Sequence, residues 1–283
     1  MPSPSYPTLF ISHGSPMVAV DGDPARRAWQ HIGAALPRPR AVLMLSPHWA
    51  SSGPVQVASA PRQSAEHDFH GFPAELYRLS YETTGARDVA DRALSLLAAA
   101  GIEAEPSARD AIDHGMWIPL AAMYPDGDVP LVQLAQPHVD AAGHMALGRA
   151  LAPLRAEGVL LIGSGSLTHN LRAVNRSGRT APVPAWVEAF RRWAHAALER
   201  ADAEALADYR ARAPEAARNH PTDEHLLPLH FAFAAGGEGV GLPIHVGAAY
   251  GVLAMDVLAF GAEGVPIALA ATRRTDTDRE PLT

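Results

Sequence analysis

Three apolar runs in this chain break into turn residues that surround a histidine. PTLFISHGSP places His13 after residues 8–11, AVLMLSPHW places His48 after residues 41–45, and GVLLIGSGSLTHN places His169 after residues 159–162. Neutral imidazole is a metal ligand, and its pKa lies close enough to neutrality to move protons. The position matters because open α/β sheets bind ligands beyond the carboxyl ends of their strands. His13 and His48 stand at equivalent positions, each closely preceded by serine and beside a glycine or proline turn, so their convergence supplies half a metal site. A third corner is offered by Glu224 or His225 in HPTDEHLLPLH, and spacing alone does not choose between them. The carboxylate would complete the facial triad of non-haem iron, whereas three imidazoles would leave the metal's full charge for an anionic substrate. His31, His138, His144, His195 and His245 have no comparable context and read as structural residues.

What the chain lacks narrows this chemistry. It has no cysteine, which excludes disulfides, thiolate nucleophiles, cysteine-ligated zinc and iron–sulfur clusters. All 23 basic residues are arginine, which excludes Schiff-base catalysis and a P-loop lysine. A net charge of -7 argues against nonspecific nucleic-acid binding, because phosphate neutralisation needs clustered cations. No apolar run is long enough to span a bilayer, and no basic segment introduces a secretion signal, so a cytoplasmic protein is expected. With 283 residues, 48% of them hydrophobic, the chain can bury a large core.

The elements that must position these histidines alternate. Asp23 caps a predicted helix over residues 24–36 with Pro24 at its first position, and the strand at 41–45 follows. Residues 51–81 read as a loop over a pocket, with His67, Phe69, His70, Phe72 and Tyr77 crowded together. Helices are predicted over 87–100, from Asp113 toward Tyr124, and over 141–154, 184–200, 203–212 and 222–235, the last with Thr222 as N-cap. Further strands are predicted over 130–135, 159–162, 243–246 and 252–260. Strands alternating with helices imply an α/β fold, a three-layer α/β/α arrangement around a central mixed β-sheet. Residues 1–261 are read as a single catalytic domain, and 262–283 as a mobile C-terminal extension.

Six motifs then occur in order: HGSP at 13–16, SPHW at 46–49, HDFHGFP at 67–73, DHGMW at 113–117, THN at 168–170 and HPTDEHLLPLH at 220–230. Together they resemble the class III, LigB-type extradiol ring-opening dioxygenases, specifically the DOPA dioxygenase branch. The similarity covers residues 7–261. It implies a non-haem Fe(II) site with His13, His48 and His225 as ligands, and Zn(II) as a substitute ion in purified protein. It implies His169 as catalytic acid–base and His114 as a substrate-binding or supporting histidine, with His67 matching the pattern without a defined role. The expected partners are a small-molecule catechol and O2, with no nucleic acid and no membrane. Phe69, Phe72, Tyr77 and Trp117 are candidate walls for the aromatic ring. A catechol hydroxyl needs a base near neutrality, which suits His169, and cleavage beside the hydroxyls would give a muconic semialdehyde.

Three other readings compete. Three histidines with an open position also describe a catalytic zinc that activates water for hydrolysis. Ser164 and Ser166 lie near His169, but GSGSLTHN lacks the G-x-S-x-G elbow of a serine hydrolase. A metal-free binding protein on the same scaffold is the non-enzyme reading. GGEGVG at 236–241 follows a predicted helix instead of opening one, which marks a turn and not a phosphate cradle.

Overall fold

The computed structural model describes residues 5–261, so the predicted C-terminal extension lies outside the described residues. The strands are β1 (Thr8–Ser12), β2 (Ala41–Ser51), β3 (Val55–Ala58), β4 (Gln63–Ala65), β5 (Glu82–Thr83), β6 (Ala104–Ser107), β7 (Ala111–Ile112), β8 (Leu131–Pro137), β9 (Val159–Gly165), β10 (Leu242–His245), β11 (Ala248–Ala249), β12 (Leu253–Ala254) and β13 (Val257–Phe260). The helices are α1 (Pro24–Ala35), α2 (Arg87–Ala99), α3 (His114–Met123), α4 (Ala141–Leu151), α5 (Ala185–Glu199), α6 (Ala203–Ala207), α7 (Tyr209–Arg212), α8 (Ala216–Asn219) and α9 (Leu227–Ala235).

Eight strands form one mixed sheet in the order β10-β13-β1-β9-β2-β8-β3-β6. Its centre, β1-β9-β2-β8, is parallel, so the carboxyl ends of these four strands point the same way. Alternation with period two sends Leu9, Ile11, Val42, Met44, Leu160 and Ile162 to the face covered by α1 and α3. Leu43, Leu45, Val159 and Leu161 go to the opposite face, beneath α2, α4 and α9. Both faces are therefore apolar, which is why these strands read as continuous hydrophobic runs. This is the expected three-layer α/β/α architecture. Among the described residues no helix is long and apolar enough to cross a membrane.

Some boundaries differ from the sequence expectation. The helix predicted from Thr222 begins at Leu227. Pro228 has no N–H to give the carbonyl of Glu224, and that carbonyl accepts instead from Gln136 Nε2 at 3.0 Å. Thr222 spends its hydroxyl on the Glu224 side chain and not on a helix cap. The helix predicted over 203–212 breaks at Asp208 into α6 and α7. The strand predicted over 252–260 divides around Met255 and Asp256, where the buried Asp256 carboxylate accepts from Arg191 and the Gly247 N–H. Within the predicted loop 51–81 the chain forms β3, a four-residue VQVA strand whose Val55 and Val57 are buried in the core, and β4, a three-residue polar QSA strand.

Candidate metal centre

Each of the three candidate ligands is delivered by a specific departure from regular structure. His13 follows β1, with its N–H donated to Gly165 O at 2.9 Å, and Gly14 turns the chain at φ +65°. The positive φ is what calls for glycine there, and a Cβ on Gly14 would also displace the end of the Met255 side chain, whose sulfur would lie 2.4 Å away. His48 rides a bulge: Ser46 pairs with Ala135 and Ala50 with Gln136, which leaves residues 47–49 without partners on β8. Bulges of this kind re-aim a side chain beside a site. His225 occupies the turn before α9, and its carbonyl accepts from Ser166 N–H at 2.8 Å. Side chains on Gly163 and Gly165 would strike Pro228 O at 2.1 Å and His225 O at 2.2 Å, so the GSG of β9 is what lets this turn approach the strand ends.

The rings of His13, His48 and His225 form a nearly equilateral triangle, with centroids 5.1, 5.2 and 5.5 Å apart. One ring nitrogen from each lies within 4.8 Å of the others. The outward nitrogens have their own partners. Ser164 donates its hydroxyl to Gly115 O at 2.5 Å, so it accepts from His13 Nδ1–H at 2.9 Å, and His13 Nε2 is left with a lone pair. His225 Nδ1 donates to Glu224 Oε1 at 3.1 Å. His48 Nδ1 faces Asp68 Oδ2 at 3.7 Å. Histidine ligands to metals are oriented in this way by outer partners. Nε2 of His13 and Nε2 of His48 approach to 3.2 Å. Two lone pairs so close repel unless a cation or proton sits between them, and a cation is what this donor set fits.

Burial, reinforced by the neighbouring imidazoles, holds His13 and His225 well below the ordinary histidine pKa. The same desolvation brings His48 down to about 3 and His169 to about 4. The rings are therefore neutral at pH 7, the state in which imidazole binds metal. Glu224 Oε1 accepts from His225 Nδ1 and Thr222 Oγ1, and Glu224 groups with His169 and His225, whereas His225 is the residue that groups with His13 and His48.

Two more imidazoles flank the triangle. His169 stacks on His225 at 3.5 Å with the planes 7° apart, and its N–H is anchored on Asn219 O. His114 opens α3 and lies 4.2 Å from the His48 ring. Gly115 lets the start of α3 approach β2 and His13: a Cβ there would meet Ser46 Oγ at 2.8 Å and His13 Cε1 at 3.1 Å. Asp113, fully buried, accepts from Ser46 Oγ at 2.7 Å, and burial pushes its carboxyl up to about 6.

The aromatic residues expected around a substrate pack largely on one another. Phe69 meets His114 edge-on at 5.8 Å, Phe72 and Tyr77 pack against Phe69, and Trp117 is buried with its indole N–H donated to Glu66 O. His67 Nε2 bonds Leu79 O at 3.1 Å and so ties the loop to itself. Ser164 and Ser166 are completely buried and donate to backbone carbonyls, Gly115 O and Thr168 O, which makes neither a nucleophile. Three contributors escaped the sequence reading: Ser164 as partner of His13, Asp68 as partner of His114, and Gln136 beneath the His225 turn. Their only local signal was the presence of polar residues beside histidine-bearing turns.

An α/β/α scaffold that gathers three neutral imidazoles at its strand ends, with two more alongside, belongs to the class of proteins whose histidine cluster could hold a metal ion. Residues 7–256 match the family model for the catalytic LigB subunit of aromatic ring-opening dioxygenase. A 4,5-DOPA dioxygenase extradiol of Beta vulgaris is 40% identical over 241 residues, covering 82% of this chain and 87% of that protein. The protein of the same description from Escherichia coli K12 is 38% identical over 250 residues, 86% of this chain and 91% of its own. A crystal structure of an uncharacterized protein from Escherichia coli K12 superposes with a TM-score of 0.76 at 32% identity, over 90% of this chain and 99% of that one. The chain belongs to the LigB family of aromatic ring-opening dioxygenases, within its DOPA dioxygenase branch. It is an extradiol ring-cleaving enzyme.

Proposed function

We propose that this enzyme uses Fe(II), held by His13, His48 and His225, to open a DOPA-like catechol with O2 and release a muconic semialdehyde. The observation that carries the reading is the set of converging ring nitrogens whose outer nitrogens face Ser164, Asp68 and Glu224. Fe(II) bound there supplies an acidified, chelated catechol and a binding position for O2. His169 is the acid–base group: kept neutral by burial, it takes the proton of a catechol hydroxyl and returns it later in the reaction. His114 accepts a hydrogen bond from the substrate, while Phe69 presents an apolar edge beside it. His67, Phe72, Tyr77 and Trp117 support that wall by holding the loop in place. Zn(II) suits the same three nitrogens and is the substitute ion to look for in purified protein.

The two relatives described above are named for 4,5-DOPA cleavage, which supports DOPA over simpler catechols as the substrate. Steady-state kinetics of the Fe(II)-loaded enzyme with DOPA, caffeate, protocatechuate and catechol test this. The highest kcat/KM is expected for DOPA. A preference for unsubstituted catechol would remove DOPA from the proposal, and no ring opening with any of the four would remove the reaction.

A further inference from the structure

We propose that Asp68 is a positioning residue of this enzyme, fixing the tautomer and orientation of His114 while facing the outer nitrogen of His48. Its carboxylate receives His114 Nδ1 on both oxygens, at 3.0 and 2.9 Å, and also the His114 backbone N–H at 2.9 Å. His114 is the first residue of α3, whose preceding residue Asp113 makes no side-chain cap. Asp68 caps this helix from a loop 46 residues away and aligns its first side chain in the same contact.

The consequence for His114 is specific. A carboxylate accepts and does not donate, so Nδ1 carries the proton and the lone pair is confined to Nε2. The ring therefore meets a substrate hydroxyl as an acceptor. Asp68 is itself held from both sides: His67 is tied to Leu79 O, and Phe69 packs edge-on against His114 at 5.8 Å. The backbone N–H and the ring Nδ1 of His114 both converge on the two Asp68 oxygens, an environment of donors that suits a carboxylate. One side chain thus braces His114 directly and sits 3.7 Å from Nδ1 of His48.

The catalytic consequence rests on the dioxygenase reading, whereas the tautomer does not, and the experiment separates them. Asp68→Asn is isosteric and leaves an amide oxygen for the His114 N–H, but its NH2 faces Nδ1 and favours the proton on Nε2. Long-range 1H–15N spectra of the metal-free protein, with His114 assigned through His114→Gln, are expected to show Nδ1–H in the wild type and Nε2–H in Asp68→Asn. In the Fe(II)-loaded enzyme, Asp68→Asn is expected to lose about 10- to 100-fold in kcat with KM within a few-fold of wild type, the scale usual for an outer partner of a metal site. Asp68→Glu is expected to restore Nδ1–H and part of kcat. An Nε2–H tautomer in the wild type, or unchanged kcat in Asp68→Asn, overturns the proposal. Wild type that shows Nδ1–H but opens no catechol overturns the dioxygenase reading and leaves the His114–Asp68 assignment standing.

Discussion

Ser164→Ala tests how the site is oriented, because it leaves all three candidate ligands in place. Ser164 is completely buried, so no bulk water replaces its hydroxyl. The substitution leaves two orphans: His13 Nδ1–H loses its acceptor at 2.9 Å and Gly115 O loses its donor at 2.5 Å. An unsatisfied buried polar group costs about 1–3 kcal/mol. At His13 this cost applies to the tautomer that exposes Nε2, so it appears as weaker metal binding, roughly 5- to 150-fold in Kd. At Gly115 it appears as lower stability in the apoprotein. Competition with a chromophoric chelator measures the metal Kd, and thermal melting of the metal-free protein measures the second effect. Wild-type metal affinity in Ser164→Ala would refute the claim that this hydroxyl sets the His13 tautomer. Total loss of turnover with affinity unchanged would instead return Ser164 to a direct chemical role.

The other variants separate ligands from their neighbours. His13→Ala and His48→Ala are expected to abolish metal retention, whereas His169→Ala keeps the metal and loses turnover; metal analysis beside single-turnover kinetics distinguishes these outcomes. Glu224→Ala removes a partner of His225 and is expected to cost about 10- to 100-fold in metal affinity, less than His225→Ala. The reverse order would make the carboxylate the third ligand. The apoprotein is expected to lose stability in acid. Burial lowers His144 to about 4 and His220 to about 3, so between the unfolded value of 6.5 and about 4 the unfolded chain binds more protons and stability falls as pH falls. Two such groups give a slope of about 2.7 kcal/mol per pH unit at most, and urea titrations with His220→Gln should show a shallower one.

The parts of this site that the sequence disclosed are those encoded by contiguous residues. Apolar runs ending in HGS and GSGS announce β1 and β9, because a strand buried on both faces leaves an unbroken hydrophobic signature. What escaped depends on partners remote in the chain. The bulge at residues 47–49 exists only relative to β8, and nothing local in SPHW distinguishes it from a turn. Asp68 carries no local signal among the aromatic residues around it, since its meaning comes from His114, 46 positions later. Ser164 resembled a turn serine or a nucleophile until His13, 151 residues away, took it as an acceptor. The turn carrying His225 reads as helix in the sequence because Thr222, Asp223 and Glu224 imitate an N-cap. Pro228 was the contrary signal, and it decided the boundary.

The most direct measurement loads the apoprotein anaerobically with Fe(II) or Zn(II), adds DOPA and 18O2, and follows oxygen uptake with mass analysis of the product. Uptake is predicted only with Fe(II), with one 18O retained in the carboxylate of a ring-opened product and the second in its aldehyde when this is trapped before exchange with water. Absence of uptake with Fe(II), or Zn(II)-dependent hydrolysis without any oxygen consumption, would contradict the assignment of His13, His48 and His225 as the iron site of a ring-opening dioxygenase.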